Sequence, residues 1–247
     1  MWNPESLVVI CLAFFTAGLI KGVIGLGLPT VSLAILTATL GLKSAMVLLL
    51  FPSFITNIWQ GLTGRAFLAI TRRLWTLLVA VCITTWFGVK ILAHADTALL
   101  SALLGVLIGI YATLNLIRPH VMEISGSEFW LSPIVGGVSG VLTGMTGTFV
   151  FPGVLYLQAL ALQRDEFVQA MGILFTVSTV ALAVSLGDYR FVSIELGTLS
   201  VFAIVPALIG MVLGRNVRRY LSEIVFKKVF FGALLTLGVY IVLRSLQ

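Results

Sequence analysis

Long stretches without a charged residue divide this chain into pieces the length of a membrane-spanning helix. Ser44–Gly64, Thr97–Ile117 and Phe167–Gly187 each run for 21 residues without Asp, Glu, Lys or Arg. A helix needs roughly 20 apolar residues to cross about 30 Å of hydrocarbon, so each stretch predicts one transmembrane helix. Three shorter gaps predict three more helices once their flanking residues are added: Leu74–Val89, Leu196–Gly214 and Val229–Leu243.

The overall composition agrees with a membrane location. Of the 247 residues, 60% are hydrophobic and only 10% are charged, against about 25% charged residues in a typical soluble domain. So few charges cannot cover a water-facing surface, and the excess apolar area must face lipid. We therefore expect an all-α, multi-pass integral membrane protein of a bacterial-type inner (plasma) membrane, with the lipid bilayer as its surroundings.

Several other classes of protein are disfavoured. The net charge of +6 does not indicate nucleic-acid binding, because the basic residues lie in predicted loops, where they set membrane orientation. His94 and His120 also lie in predicted loops, without clustered carboxylates or thiols. Cys11 and Cys82 lie in apolar stretches and are interpreted as buried small hydrophobes. The sequence predicts no enzyme, no metal site and no cofactor.

Two apolar stretches are too long for a single helix, and they resemble each other. Ser6–Leu42 has 37 residues, interrupted only by Lys21, and Phe129–Gln163 has 35 residues and no charge. Each contains a dense run of glycines followed by a proline, and each is followed by a similar series of helices and turns. The sequence therefore predicts two transmembrane repeats of about five helical segments each, residues 1–120 and 121–247.

The distribution of Lys and Arg predicts that the repeats are inverted. If each long stretch enters and leaves on the same side, one face receives ten Lys and Arg and the other face four, whereas single crossings divide them six against eight. The positive-inside rule favours the first arrangement, which gives each repeat an odd number of crossings. The ten residues are Arg65, Arg72, Arg73, Arg118, Arg164, Arg215, Arg218, Arg219, Lys227 and Lys228, and the four are Lys43, Lys90, Arg190 and Arg244.

The glycine–proline runs predict where the substrate binds. Two full crossings would leave only about 16 residues per helix, so we expect short or re-entrant helices at the start of each repeat and about eight full spans in all. Broken backbone at membrane depth needs a cavity or protein to satisfy it, and paired breaks in inverted repeats indicate a transport site near the midplane. The spacing of the Gly105 and Gly210 pairs instead indicates close helix packing.

The side chains around the breaks suggest a small oxyanion. Lys21 either faces a cavity and attracts an anion or extends to the membrane interface, and Ser139 is taken as its equivalent in the second repeat. Asn57 and Gln169 are secondary candidates, for which hydrogen bonding between helices is the favoured role. The predicted substrate-binding residues are Lys21, Gly22, Gly25, Gly27, Pro29, Thr30, Asn57, Ser139, Thr143, Gly144, Thr146, Gly147, Thr148 and Gln169.

With these motifs the chain resembles the TauE/SafE sulfite exporter family, also called toluene-sulfonate uptake permeases. The similarity lies in Gly18–Pro29, in Gly136–Gly147, and in a helix that carries Pro206, Gly210 and Gly214 and leads into a basic loop. It covers nearly the whole chain, from about Leu7 to Leu243. The resemblance implies a membrane transporter, favouring an exporter, of a small sulfur-containing anion such as sulfite, a sulfonate or sulfoacetate.

Two further expectations complete the sequence-based interpretation. The alternative function is a non-transporting membrane subunit or assembly factor of a partner complex. A homo-oligomer is compatible with the sequence, as are several coupling mechanisms. No Asp or Glu lies within the long stretches, so the sequence offers no obvious carboxylate for proton coupling and favours transport driven by the membrane potential.

Overall fold

The computed structural model describes residues 3–117, 128–218, 220 and 222–246, and in these residues the chain forms twelve α-helices and no strands. The predicted repeat boundary at residue 120 and the basic residues Arg118 and Arg219 lie outside the described residues. The helices are α1 (Pro4–Ile24), α2 (Leu28–Leu40), α3 (Leu42–Leu48), α4 (Leu50–Leu62), α5 (Phe67–His94), α6 (Thr97–Ile117), α7 (Glu128–Thr146), α8 (Gly153–Ala159), α9 (Arg164–Asp188), α10 (Ile194–Phe202), α11 (Ile204–Arg218) and α12 (Glu223–Ser245).

Among the described residues, seven helical segments are long and apolar enough to cross a membrane, or eight if the bent pair α3 and α4 forms one span. Five of the six charge-free gaps lie within these helical segments, and α6 coincides with the gap Thr97–Ile117; the gap Ser44–Gly64 runs from α3 to two residues beyond α4. Large apolar side chains such as Leu12, Trp75 and Val184 are more than half exposed on the spans. A soluble protein rarely exposes such a surface, so the prediction of a multi-pass membrane protein is confirmed.

The bend between α3 and α4 has a local cause. The two helices meet at 44° around Leu49. On α10, the Ser200 hydroxyl donates to the Leu48 carbonyl at 2.7 Å and accepts from the Phe51 N–H at 3.2 Å. A side chain that inserts into the backbone ladder in this way bends a helix.

The two long apolar stretches are broken where the sequence predicted, but their arms are unequal. The first arms, α1 and α7, have 21 and 19 residues and qualify as full spans, while α2 and α8 have only 13 and 7 residues. The prediction of two short arms was wrong for the first arm of each pair. Both first arms begin in polar sequence, at Pro4 and Glu128, because a proline or an acidic residue suits the first turn of a helix.

The chain divides into two compact units. Unit 1 comprises Met1–Pro52, Asp96–Pro119 and Phe191–Gln247. Within it, α1 packs on α11 and α2, and α6 packs on α12. Gly18 and Gly22 face Ala207 and Met211, so the backbones of α1 and α11 run parallel and in close contact. Small residues at this spacing are what such an approach requires.

Unit 2 comprises Ser53–Ala95 and His120–Arg190. Within it, α5 packs on α7 and α9. Three glycines of α7, spaced four residues apart, lie against the α5 backbone: Gly136, Gly140 and Gly144. At the start of these two helices the Arg73 guanidinium donates to the Glu128 carboxylate at 2.9 Å and to the Leu160 carbonyl at 3.4 Å, which ties the end of α8 to the pair.

Each unit takes helices from both halves of the sequence. In unit 1 the first helix of the chain pairs with α11, and in unit 2 the first helix of the second half, α7, pairs with α5. If α3–α4 and α10–α11 each count as one segment, each half of the sequence has five segments. The fourth segment is α5 in the first half and α10–α11 in the second half. In both pairs, therefore, the first segment of one half packs on the fourth segment of the other half. The sequence similarity between the halves therefore has a counterpart in the helix pairings inside each unit.

Candidate functional site

The first break lies in unit 1, between α1 and α2. Gly25 has φ +81° and its N–H donates to the Lys21 carbonyl at 2.8 Å, which ends α1. Gly27 has φ +109° and precedes the first residue of α2. Both torsions lie in the left-handed region, which glycine adopts without strain. The glycines thus reverse the chain direction within three residues.

The start of α2 offers hydrogen-bond donors. The first N–H groups of a helix have no partner within it, and they carry a partial positive charge. Pro29, in the first turn, has no N–H, so it removes one of these donors but fixes the backbone for the helix. Thr30 is buried, and its hydroxyl has no hydrogen-bond partner in the structure.

Lys21 lies in the last turn of α1 and is only 4% exposed. It is the one charged side chain among the buried residues that the structure describes. The neighbouring residue Gly22 lies against the backbone of Met211 and Arg215, so Lys21 is level with the basic end of α11. Lys21 is therefore enclosed, but it lies towards the end of its helix and not at the centre.

The second break lies in unit 2, between α7 and α8. Gly147 has φ +74° and its N–H donates to the Thr143 carbonyl at 2.7 Å. Six residues, 147–152, connect the helices, twice the number in the first break. The next residue, Gly153, begins α8. A Cβ atom added at Gly153 would lie 3.3 Å from the Ser139 hydroxyl. The chain therefore returns along α7, and α8 starts beside Ser139.

The equivalent of Lys21 differs from the sequence-based assignment. In both breaks the capping glycine donates to the carbonyl four residues earlier, on Lys21 in α1 and on Thr143 in α7. The packing glycines give the same alignment of α1 with α7. Gly18 and Gly22 of α1 contact the α11 backbone, as Gly140 and Gly144 of α7 contact the α5 backbone. Thr143, and not Ser139, therefore occupies the helix position of Lys21. The sequence alignment was one helical turn out because glycines recur at four-residue spacing.

The hydroxyls of the second break have different roles. The Thr143 hydroxyl donates to the Thr148 carbonyl at 2.9 Å, and that of Thr146 donates to the Leu142 carbonyl at 2.7 Å. The hydroxyls of Ser139 and Thr148 are buried and have no partner in the structure. Buried polar groups are normally hydrogen-bonded, so these two hydroxyls are the ones free to meet a ligand.

Asn57 and Gln169 lie on other helices of unit 2. The Gln169 side chain donates to the Gly61 carbonyl at 3.0 Å and accepts from the Ala66 N–H at 3.2 Å, so its amide joins α9 to the end of α4 and to the residue that caps α5. The favoured role of Gln169 in bonding between helices is confirmed. Asn57 is fully buried on α4. Ser53, one turn earlier, has a buried hydroxyl without a partner, which the sequence analysis missed although it shares the Asn57 face.

The glycines divide into two groups. A Cβ at Gly22 or Gly144 would collide with the neighbouring helix backbone, whereas Gly25 and Gly147 have positive φ and form the breaks themselves. The packing roles of the Gly105 and Gly210 pairs are confirmed, because Gly105 and Gly210 contact the backbones of α12 and α1. Both breaks thus combine a packing glycine with a capping glycine three residues later.

Two other kinds of site, a metal site and a ligand pocket, were considered in the part of the chain that the structure describes. No group of three His, Cys, Asp or Glu residues there is placed to hold a metal ion. A groove of about 420 Å³ between α6 and α12 in unit 1 is lined by apolar residues and Thr113, and such a lining does not suit an anion.

Comparison with known proteins identifies the family. The model of the family described as sulfite exporter TauE/SafE matches residues 10–241. No curated protein and no solved structure matches the chain. The match covers both breaks, all seven candidate spans in whole or in part and the basic end of α11. The chain belongs to the TauE/SafE family of membrane transporters.

Proposed function

We propose that this protein exports a small sulfur-containing oxyanion or organosulfonate, such as sulfite or sulfoacetate, across the bacterial inner membrane. The family supports transport of sulfur anions in general. The observation that carries the choice of an anion is Lys21, the one charged side chain among the buried residues described. Burying an ammonium is costly, and an anionic substrate would offset that cost.

The surrounding donors fit the same chemistry. The first break also contains the opening turn of α2 and the Thr30 hydroxyl, which has no partner. The second break adds the free hydroxyls of Ser139 and Thr148. An oxyanion accepts hydrogen bonds on several oxygens, and hydrogen bonds to a charged group are stronger than neutral ones. We propose that the first break binds the anion through its own donors, and that the free hydroxyls of the second break offer the same chemistry within unit 2.

We also propose that residues 1–120 and 121–247 are inverted repeats with about eight spans in total. Support comes from the capping geometry shared by Gly25 and Gly147 and from the matching pairs α1 with α11 and α7 with α5. Inverted repeats with broken helices provide alternating access by movement of one element against another.

The experiment that tests the function is an efflux assay in proteoliposomes. Vesicles loaded with sulfite, sulfoacetate, sulfate or acetate are diluted into anion-free buffer, and the retained anion is measured over time. We expect faster loss of sulfite or sulfoacetate than of acetate, and no such loss from protein-free vesicles. A protein that folds and inserts but speeds the efflux of none of these anions would favour the alternative of a non-transporting subunit.

A further inference from the structure

A second cavity in unit 1, more polar than the groove between α6 and α12, lies at the end of α2 that is farther along the chain from the first break. It is a partly open pocket with a volume of about 230 Å³, lined by the last residues of α2 and α12 and the first residues of α6. A single water needs roughly 10–15 Å³ of such space, so an oxyanion with part of its hydration shell fits. The polar residues of the lining are Thr37, Thr97, Ser101, Arg244 and Ser245.

Arg244 supplies the positive charge of this cavity. It lies in the last turn of α12, and among the described residues it has neither an ion pair nor a hydrogen bond. The nearest acidic residue in sequence to the α6 lining is Asp96, whose carboxylate accepts from the Ala98 N–H at 2.8 Å and caps α6. Asp96 keeps its negative charge in this bond, but among the described residues it forms no ion pair with Arg244.

Thr37 is the second, independent feature. It is 8% exposed, it lines the cavity, and its hydroxyl has no hydrogen-bond partner. The hydroxyls of the two serines in the lining are already hydrogen-bonded. Ser101 donates to the Thr97 carbonyl at 2.8 Å, and Ser245 donates to the Ile241 carbonyl at 2.7 Å. The uncommitted donors are thus the Arg244 guanidinium and the hydroxyls of Thr37 and Thr97. Gly41 leaves the cavity open, since a Cβ there would meet no atom within 4 Å.

We propose that this cavity is an oxyanion-binding site separate from the two breaks. A guanidinium presents paired N–H groups that match two oxygens of a sulfate-like or sulfonate group. Arg244 belongs to the face with fewer basic residues, which the positive-inside rule assigns to the non-cytoplasmic side. The site goes beyond the proposed function, since it binds an anion whether or not that anion is transported. Its occupant is a small oxyanion from the non-cytoplasmic solution.

Binding is tested with sodium sulfate as the probe on the purified full-length protein. Sulfate stabilises many proteins without binding to a site, so the comparison is between variants at equal salt. We expect millimolar sulfate to raise the melting temperature of wild type and of the surface control Arg190→Gln. Arg244→Gln should weaken the response about tenfold or more in apparent affinity, with Arg244→Lys intermediate, because one charged hydrogen-bonding pair is lost. An equal response of wild type and Arg244→Gln would overturn the proposal.

A labelling experiment locates the site independently of stability. Cys11 and Cys82 are both exposed, so the interpretation that they are buried was wrong. They are first replaced by alanine, and Ala98→Cys then places one thiol on the cavity lining. We expect sulfate to slow its modification by a sulfonate-bearing thiol reagent, and Arg244→Gln to abolish the protection. Protection should persist in Lys21→Ala, even if that variant no longer transports. Absence of protection by sulfate would overturn the proposal while leaving the export function untouched.

Discussion

Lys21 combines a favourable place on its helix with an unfavourable environment. A cation in the last turn suits the negative end of the α1 dipole, whereas enclosure removes most of its hydration. Exposed Lys90 lies on another span and provides the comparison. The sequence left two interpretations open, extension to the interface or a cavity-facing cation. The structure combines parts of both, since Lys21 is near a helix end but is 4% exposed.

The first prediction concerns this lysine. Lys21→Ala should lower anion efflux from proteoliposomes by about tenfold or more, because a charged hydrogen bond to the substrate contributes roughly 1.5–3 kcal/mol. Lys21→Arg should retain part of the flux, since it keeps the charge but changes the geometry. Lys90→Ala serves as the control and should transport normally. Full activity of Lys21→Ala would remove this residue from the proposed site.

Two threonines of the second break provide a matched pair. Thr148→Val removes a hydroxyl without a partner and should reduce flux with little loss of stability. Thr143→Val removes the bond to the Thr148 carbonyl, so it should lower stability by about 1 kcal/mol. Thermal unfolding in detergent and efflux, measured on both variants, check the assignment. The reverse pattern would mean that Thr148 is structural and Thr143 is the ligand-facing residue.

The sequence indicated which residues gather at the breaks but not which of them are free. A lysine and several hydroxyls beside glycine runs were visible as polar groups in charge-poor sequence. Whether a hydroxyl is committed depends on the path of residues 147–152, which brings the Thr148 carbonyl to Thr143. That path is set by packing against α7 and α8, and no local pattern encodes it. Arg244 and Thr37, distant in sequence, were missed for the same reason.

Among the helices, the breaks were located correctly and the helix lengths were not. The positive φ that ends each first arm requires glycine, so Gly25 and Gly147 leave a local signal. The first arms fill each stretch up to the break and gain one or two residues at their start, whereas the connecting residues and the early helix ends shorten α2 and α8. Packing glycines and capping glycines lie in the same run, so the sequence alone does not distinguish Gly144, which packs on α5, from Gly147, which ends α7.

The packing glycines lead to a prediction about helix pairs. Gly22→Ala would place a methyl group against the backbone of Met211, so α1 and α11 must move apart at a cost of roughly 1–3 kcal/mol. Gly232→Ala in α12 is the control, because a Cβ there meets no atom within 4 Å. It should be neutral or raise stability by up to about 1 kcal/mol through helix propensity. Equal melting temperatures for both variants would contradict the close contact.

For the whole molecule, the distribution of basic residues predicts the sidedness of its loops. Reporter fusions after Arg72 and after Arg218 should both be cytoplasmic, and a fusion after Ala95 should lie on the opposite side. Ala95 directly follows α5, a 28-residue span whose first turns contain Arg72. The fusion after Ala95 therefore serves as an internal control. If Arg72 and Arg218 report opposite sides, each long apolar stretch crosses once and the halves are not inverted.

The driving force is a property of the whole molecule in its membrane. An inside-negative potential moves anions outward, by about 2.3 kcal/mol per charge per 100 mV and therefore about 4.6 kcal/mol for a divalent anion. Lys21 is the one charged side chain among the buried residues described, so no buried carboxylate there is placed to carry a coupled proton. We therefore expect export to be electrogenic, with Lys21 lowering the energy of the anion within the protein.

This expectation is tested in vesicles with a potassium gradient and valinomycin, without a pH gradient. Setting the sulfite-loaded side negative should accelerate efflux, and reversing the potential should slow it. Lys21→Ala should reduce flux at every potential, because it raises the energy of the bound anion whatever the driving force. Efflux that ignored the potential but followed an imposed proton gradient would contradict the mechanism. The transported species would then be protonated, or a hydroxyl-lined proton path would accompany the anion.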